Sequence, residues 1–197
     1  MKKYRNKYRI ESTRLQNWDY GWNGAYFITI CTHNREHYFG EIVDGKMEPT
    51  DIGKLAEKYW YEIPKHFQFV KLNEFIVMPN HIHGIIIINK FDDEYNAVET
   101  PNLGVSTTNN NLGVSTSNNK SKSKIGGKNP KWKPNTLGTI INQYKRICSI
   151  NARKINPDFA WQSRFYDHII RNEKSFKNIS NYIINNTTNW NNDKLYN

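Results

Sequence analysis

Residues 75–89 read FIVMPNHIHGIIIIN, and this stretch decides how the rest of the chain is arranged. It is an apolar run, a Pro79-Asn80 turn, and a second apolar run that opens with His81-Ile82-His83. The runs at 75–78 and 85–88 are apolar enough to predict central strands buried in a sheet. Successive side chains of a strand point to opposite faces, so His81 and His83 stand side by side on one surface while Ile82 faces the other. Two imidazoles placed that way can grip one divalent metal ion. The plainer reading is a histidine pair idle beside a turn. It is weakened by the flanking runs, because polar groups rarely enter such a sheet without a partner or a task. Gly84 follows directly, either to let a backbone approach the site or as a bulge.

Working outward, the chain has 197 residues, room for one domain of ordinary size with a real core. No apolar run reaches the roughly 18 residues of a membrane span. The first residues, MKKYRNKYRIESTRLQNW, lack the apolar centre of a secretory signal. Two cysteines far apart, Cys31 and Cys148, argue against a disulfide scaffold, so the expected compartment is the cytoplasm. A net charge of +10 with 14% aromatic residues suits a nucleic-acid binder, in which cations meet phosphates and rings stack on unpaired bases.

Residues 1–24 form a basic, aromatic arm in which Arg5, Lys7 and Arg9 are candidate phosphate contacts; the plainer reading is a frayed, solvated terminus. One domain is expected over 25–197. A first core strand is predicted over 26–32, followed by loop histidines His33 and His37 and a hairpin at Asp44-Gly45. Thr50 caps a helix over 51–63 with Ile52, Leu55, Ala56, Tyr59 and Ile63 as its apolar stripe, and Pro64 ends it. Residues of about 91–134 are polar and hold a duplication, NLGVSTTNN then NLGVSTSNN. That segment reads as a flexible insertion with a basic end, too polar for a core.

Helical spacing returns over 136–154, with Tyr144 in mid-stripe and Lys145 and Arg146 off it, supplying positive charge. Next, FAWQSRFYDHIIRN is a strand or a turn-rich patch carrying Arg164 and Arg171. The last helix is capped by Asn172, with Phe176, Ile179 and Ile183 on its inner face and Tyr182 a further candidate for it. Tyr182 and Asn186, four apart, point the same way on a helix, which brings a hydroxyl that can attack beside an amide oxygen that can ligate.

A metal on His81 and His83 with one oxygen ligand keeps positions open for substrate, as a catalytic site requires. A phosphodiester held there can be attacked by a phenol, whose ordinary pKa of about 10 lies far below that of an alkyl alcohol. Covalent attachment conserves the phosphoester bond, so no nucleotide cofactor is needed. Tyr144, Tyr166 and Tyr182 all sit near basic residues, and chemistry alone leaves the choice among them open.

Taken together, VMPNHIHGIII, WQSRFYDHIIRNEKSF and NYIINN resemble the REP-associated tyrosine transposases and related small insertion-sequence transposases. These are single-tyrosine members of the HUH endonuclease superfamily. The similarity covers about 26–186 apart from the insertion. It implies His81 and His83 as metal ligands, Tyr182 as the tyrosine that forms a 5′-phosphotyrosine bond with DNA, and Asn186 as the third ligand. Relatives often continue as Asn-Pro where this chain has Asn186-Thr187.

The resemblance further implies a ferredoxin-like α+β sandwich, an antiparallel sheet with helices packed on one face. It implies Mg²⁺ or Mn²⁺, and single-stranded DNA with a hairpin as substrate. Monomeric and homodimeric action both occur in such proteins, and no membrane is involved. The basic candidates Arg5, Lys7, Arg9, Lys145, Arg146, Arg164 and Arg171 would then contact DNA. Two alternatives stand beside this reading. One is a non-catalytic module for single-stranded nucleic acid; the other is an HUH replication initiator or relaxase.

Overall fold

The computed structural model describes residues 3–4, 7–8, 17–90, 134–192 and 195. Of the arm, a strand pair, β1 Lys3–Tyr4 with β2 Lys7–Tyr8, and residues 17–24 are described, with Trp18 and Tyr20 packed against the core. The side chains of Arg5, Lys7 and Arg9 lie outside the described residues, as does the 91–134 insertion apart from Pro134.

The strand expected first is β3, Gly24–Cys31. The Asp44-Gly45 turn joins β4, Gly40–Val43, to β5, Lys46–Pro49. Both turn residues have positive φ, 49° and 72°, the geometry that makes Asp-Gly a hairpin signal. Thr50 caps α1, Asp51–Tyr61, by accepting from Gly53 N at 3.1 Å. Pro64 does not end this helix. The helix stops at Tyr61, and Pro64 sits in the first turn of a short α2, Ile63–His66, where its missing N–H costs nothing.

Strands β6, Val70–Met78, and β7, His81–Ile88, form the hairpin around Pro79-Asn80. After the insertion come α3, Leu137–Ile155, capped by Thr136, then β8, Tyr166–Ile170. Last is α4, Glu173–Ile184, where Asn172 Oδ1 accepts from Ser175 N at 2.8 Å.

The four long strands make one antiparallel sheet in the order β6-β7-β3-β8. With α1 and α3 as crossovers, this is the ferredoxin-like βαββαβ arrangement. On one face Tyr26, Ile28, Ile30, Ile82, Ile86 and Ile88 meet α1 and α3 through Trp60, Ile140, Ile141 and Tyr144. Trp60 is wholly buried, stacked on Phe75 at 4.6 Å. A Cβ on Gly84 would stand 2.3 Å from Trp60 Cζ2, so this glycine makes room for the indole. Its register with β3 is unbroken, while the pairing of β6 with β7 shifts between Leu72 and Phe75, the partner of Gly84; the glycine faces away from the histidines.

The helices do not all share that face. α1 and α3 do, while α4 lies across the opposite one, where Phe176, Ile179 and Ile183 cover Phe27 and Ile85. Strand alternation explains it: Phe27 and Ile85 leave an apolar patch on the histidine side, which the inner stripe of α4 fills. Among the described residues, no helix is long and apolar enough to cross a membrane.

Candidate active site

The histidines open β7, one residue beyond the Asn80 turn, and both are buried. Their Nε2 atoms lie 3.0 Å apart. The outer nitrogens are each held: His81 Nδ1 is 2.8 Å from Asn80 Oδ1, and His83 Nδ1 is 2.8 Å from Thr29 Oγ1. Asn80 Nδ2 donates to the Leu195 carbonyl at 3.0 Å, so its amide oxygen is the group facing His81. His81 Nδ1 therefore carries the proton and Nε2 presents a lone pair toward His83. Burial, then the His83 and Arg35 charges, hold His81 well below the ordinary 6.5, which keeps it neutral as a ligand must be.

Two ring nitrogens at this distance share either one proton or one cation. The donor chemistry suits a divalent metal: paired imidazoles from one strand, each fixed from behind by a hydrogen bond. Among the described residues no cluster of three His, Cys, Asp or Glu side chains forms, so further ligands would come from amide oxygens, water or substrate. His33 and His37 are exposed outside this pair. His37 does reach the periphery, its ring 6.0 Å from Trp190, which itself lies 5.9 Å from His81.

The three tyrosines separate cleanly. Tyr144 is core: its hydroxyl donates to the Ala56 carbonyl at 3.0 Å, and burial pushes its phenol well above 10. Tyr166 is half exposed on β8, on the histidine face of the sheet. Tyr182 is 46% exposed on α4, and its hydroxyl stands 3.2 Å from His83 Nε2. That contact is made within one chain. Asn186 is 2% exposed and follows the Asn185 cap, so it begins the turn after α4 instead of continuing the helix.

The basic candidates scatter. Lys145 donates to the Gln162 and Arg164 carbonyls at 2.5 and 3.4 Å, bracing that loop, and burial lowers its ammonium to about 8. Arg146 lines a cleft between α1, α2 and α3, on the side of the sheet away from the histidines. Arg164 and Arg171 are exposed on either side of β8.

Sequence reasoning missed Thr29, Phe27, Trp190 and the orienting role of Asn80. Phe27 stacks on His83 at 5.2 Å and meets Tyr182 edge-on at 6.1 Å, so it seats both rings. Thr29 lies directly opposite His83 in the β3–β7 register. Only that register, not spacing along the chain, brings them together.

No family model matches the chain. It is 35% identical over 193 residues to an uncharacterized protein of Haemophilus influenzae, spanning 94% of this chain and 92% of that one. Its fold is similar to that of a REP-associated tyrosine transposase bound to a REP hairpin, with a TM-score of 0.51 at 14% identity, covering 91% of this chain and 74% of that one. A Deinococcus radiodurans protein described as a candidate transposase aligns with a TM-score of 0.41 at 12% identity, over 88% and 97% of the two chains.

Proposed function

We propose that this chain, which belongs to the same protein family as the Haemophilus influenzae protein, is a single-tyrosine DNA transposase of HUH type. One observation carries the reading: the Nε2 atoms of His81 and His83 and the hydroxyl of Tyr182 come together within hydrogen-bond distance on one sheet face. The likeness in fold to a transposase and the positive charge agree with it.

In this reading His81 and His83 hold a divalent ion, with Asn186 as the candidate third ligand. When bound, the ion supplies positive charge that binds a phosphodiester oxygen and offsets the charge gained in the transition state. Imidazole donors suit Mn²⁺ better than Mg²⁺, so Mn²⁺ is expected to support the higher activity.

The protein's own part is positioning. Phe27 and the α4 backbone fix the Tyr182 ring, and its exposed edge admits a single strand. Tyr182 Oη attacks phosphorus, the P–Oη bond forms and the P–O3′ bond breaks. The phenolic proton passes to solvent while the leaving 3′-oxygen takes one up. The 5′-phosphate remains on the tyrosine until a 3′-hydroxyl reverses the step, so rejoining needs no other energy source.

The test is a single-stranded hairpin oligonucleotide with Mn²⁺, followed by a denaturing gel. The expected result is a protein–DNA adduct that disappears in Tyr182→Phe and persists in Tyr166→Phe. An adduct that survives Tyr182→Phe removes Tyr182 from the mechanism. Tight strand binding without any adduct, unaffected by His81→Ala, would instead support a non-catalytic binding module.

A further inference from the structure

Beside Tyr182, between the edge strand β8 and the N-terminal half of α4, lies a cleft of about 450 Å³. Its floor is Phe27, one wall is Tyr166, and the rim carries His168, Asn172, Lys174 and Asn178. We infer that this cleft binds the unpaired base of the nucleotide adjoining the phosphate that Tyr182 attacks. The inference rests on the function proposed above and adds to it a site for the base.

Placement is the first argument. Residues Thr29 and Tyr166 are register partners, as are Thr29 and His83, so the Tyr166 ring stands in the same cross-strand row as the histidine site. Phe27 joins the two regions, its ring 6.1 Å from Tyr182 and 6.3 Å from Tyr166. A strand with its phosphate at Tyr182 can therefore lay a neighbouring base on this cleft.

Exposure is the second. Tyr166 is 50% exposed on a face where its neighbours Phe27 and Ile170 are buried, and a large ring left open over an apolar floor is a stacking platform. Chemistry at the rim is the third. Amides and an imidazole can hydrogen-bond a base edge, and Lys174 can meet the next phosphate. A second depression, lined also by Asp167, continues past Tyr166 and His168 to Arg171, so Lys174 and Arg171 both stand near the N-terminal end of α4. The cleft is open to solvent, and an unpaired base stacked on one ring is the occupant these groups fit.

The experiment uses the Tyr182→Phe protein, so that binding is read without chemistry. Fluorescence anisotropy compares a short oligothymidylate with an abasic deoxyribose-phosphate chain of equal length. Tyr166→Ala is expected to weaken the thymidylate about tenfold while leaving the abasic chain unchanged, since stacking is lost and charge is not. Tyr166→Phe, which keeps the ring, is expected to match Tyr166. Equal losses on both ligands, no loss on either, or no initial preference for the thymidylate overturns the inference. The adduct assay separates the two claims. An adduct with no Tyr166-dependent base preference sinks the cleft alone, while a Tyr166-dependent preference with no adduct sinks strand transfer and leaves the base site standing.

Discussion

Thr29 is the residue through which His83 is aimed. Its hydroxyl lies 2.8 Å from His83 Nδ1, behind a ring that Phe27 stacks on and whose Nε2 meets His81 and Tyr182. Thr29→Val keeps the shape and removes the hydrogen bond. Its expected cost is about 10- to 100-fold in Mn²⁺ affinity, read by titration calorimetry; an unchanged affinity would show that the hydroxyl does not tune a ligand. His81 makes a prediction of a different kind. Its folded pKa is lowered from 6.5, so the unfolded chain takes up a proton that the folded chain refuses. The stability linked to this residue is complete above about pH 6.5 and drains away as pH falls toward the folded value. Urea midpoints of the apo protein should therefore fall between about pH 7 and about pH 5 more steeply than those of His81→Gln. Parallel slopes for the two proteins would exclude His81 as the group responsible. At this scale the sequence placed His81 and His83 side by side on one face, because a spacing of two on a strand is a local fact. It hid Thr29 and Phe27, because they reach the site through pairing with a distant strand.

Elements were legible wherever capping or periodicity is local. Thr50 and Asn172 cap their helices as expected, and Thr136, expected as the first helical residue, is the cap of α3. What misled was the assumption that an element's signals act on that element alone. Pro64 was read as a stop, yet it opens the next turn. Gly84 was read from its place beside the histidines, yet it answers to Trp60 on the other face. Even the helix stripe was incomplete, since it left out Trp60, in the last turn of α1, which is the largest fully buried side chain among the described residues. This yields a test at the scale of the β7–α1 contact. A methyl at position 84 would overlap the indole, which Phe75 and Tyr144 hold from two sides. Gly84→Ala should thus destabilise the fold by about 1–3 kcal/mol through overpacking, read as a lower urea midpoint with unchanged slope. Gly84→Ala, Trp60→Phe should recover part of that loss. A neutral Gly84→Ala would mean that the helix layer shifts freely on the sheet.

For the whole molecule, the sheet divides labour between its faces. One is sealed by α1 and α3 and supplies the stability. The other is only half covered by α4, leaving Tyr182 and Tyr166 open beside the histidines. That asymmetry explains why total charge is silent about the site. The excess of +10 is spread over the chain, with Arg146 on the far side and Lys145 turned inward, while the chemistry needs only a few groups on one face. Charge and site should then separate in the salt dependence of binding. Each phosphate neutralised contributes about −0.7 to the slope of log affinity against log salt for a single strand. Arg171→Gln, at the end of the strand path, should reduce that slope by roughly one contact's worth. Tyr166→Ala should lower the affinity equally at every salt concentration and leave the slope alone. Arg146→Gln should change neither, because its face does not meet the strand. Should Arg146→Gln flatten the slope as much as Arg171→Gln, the DNA runs over the helix layer, and the histidine face is not where the strand lies.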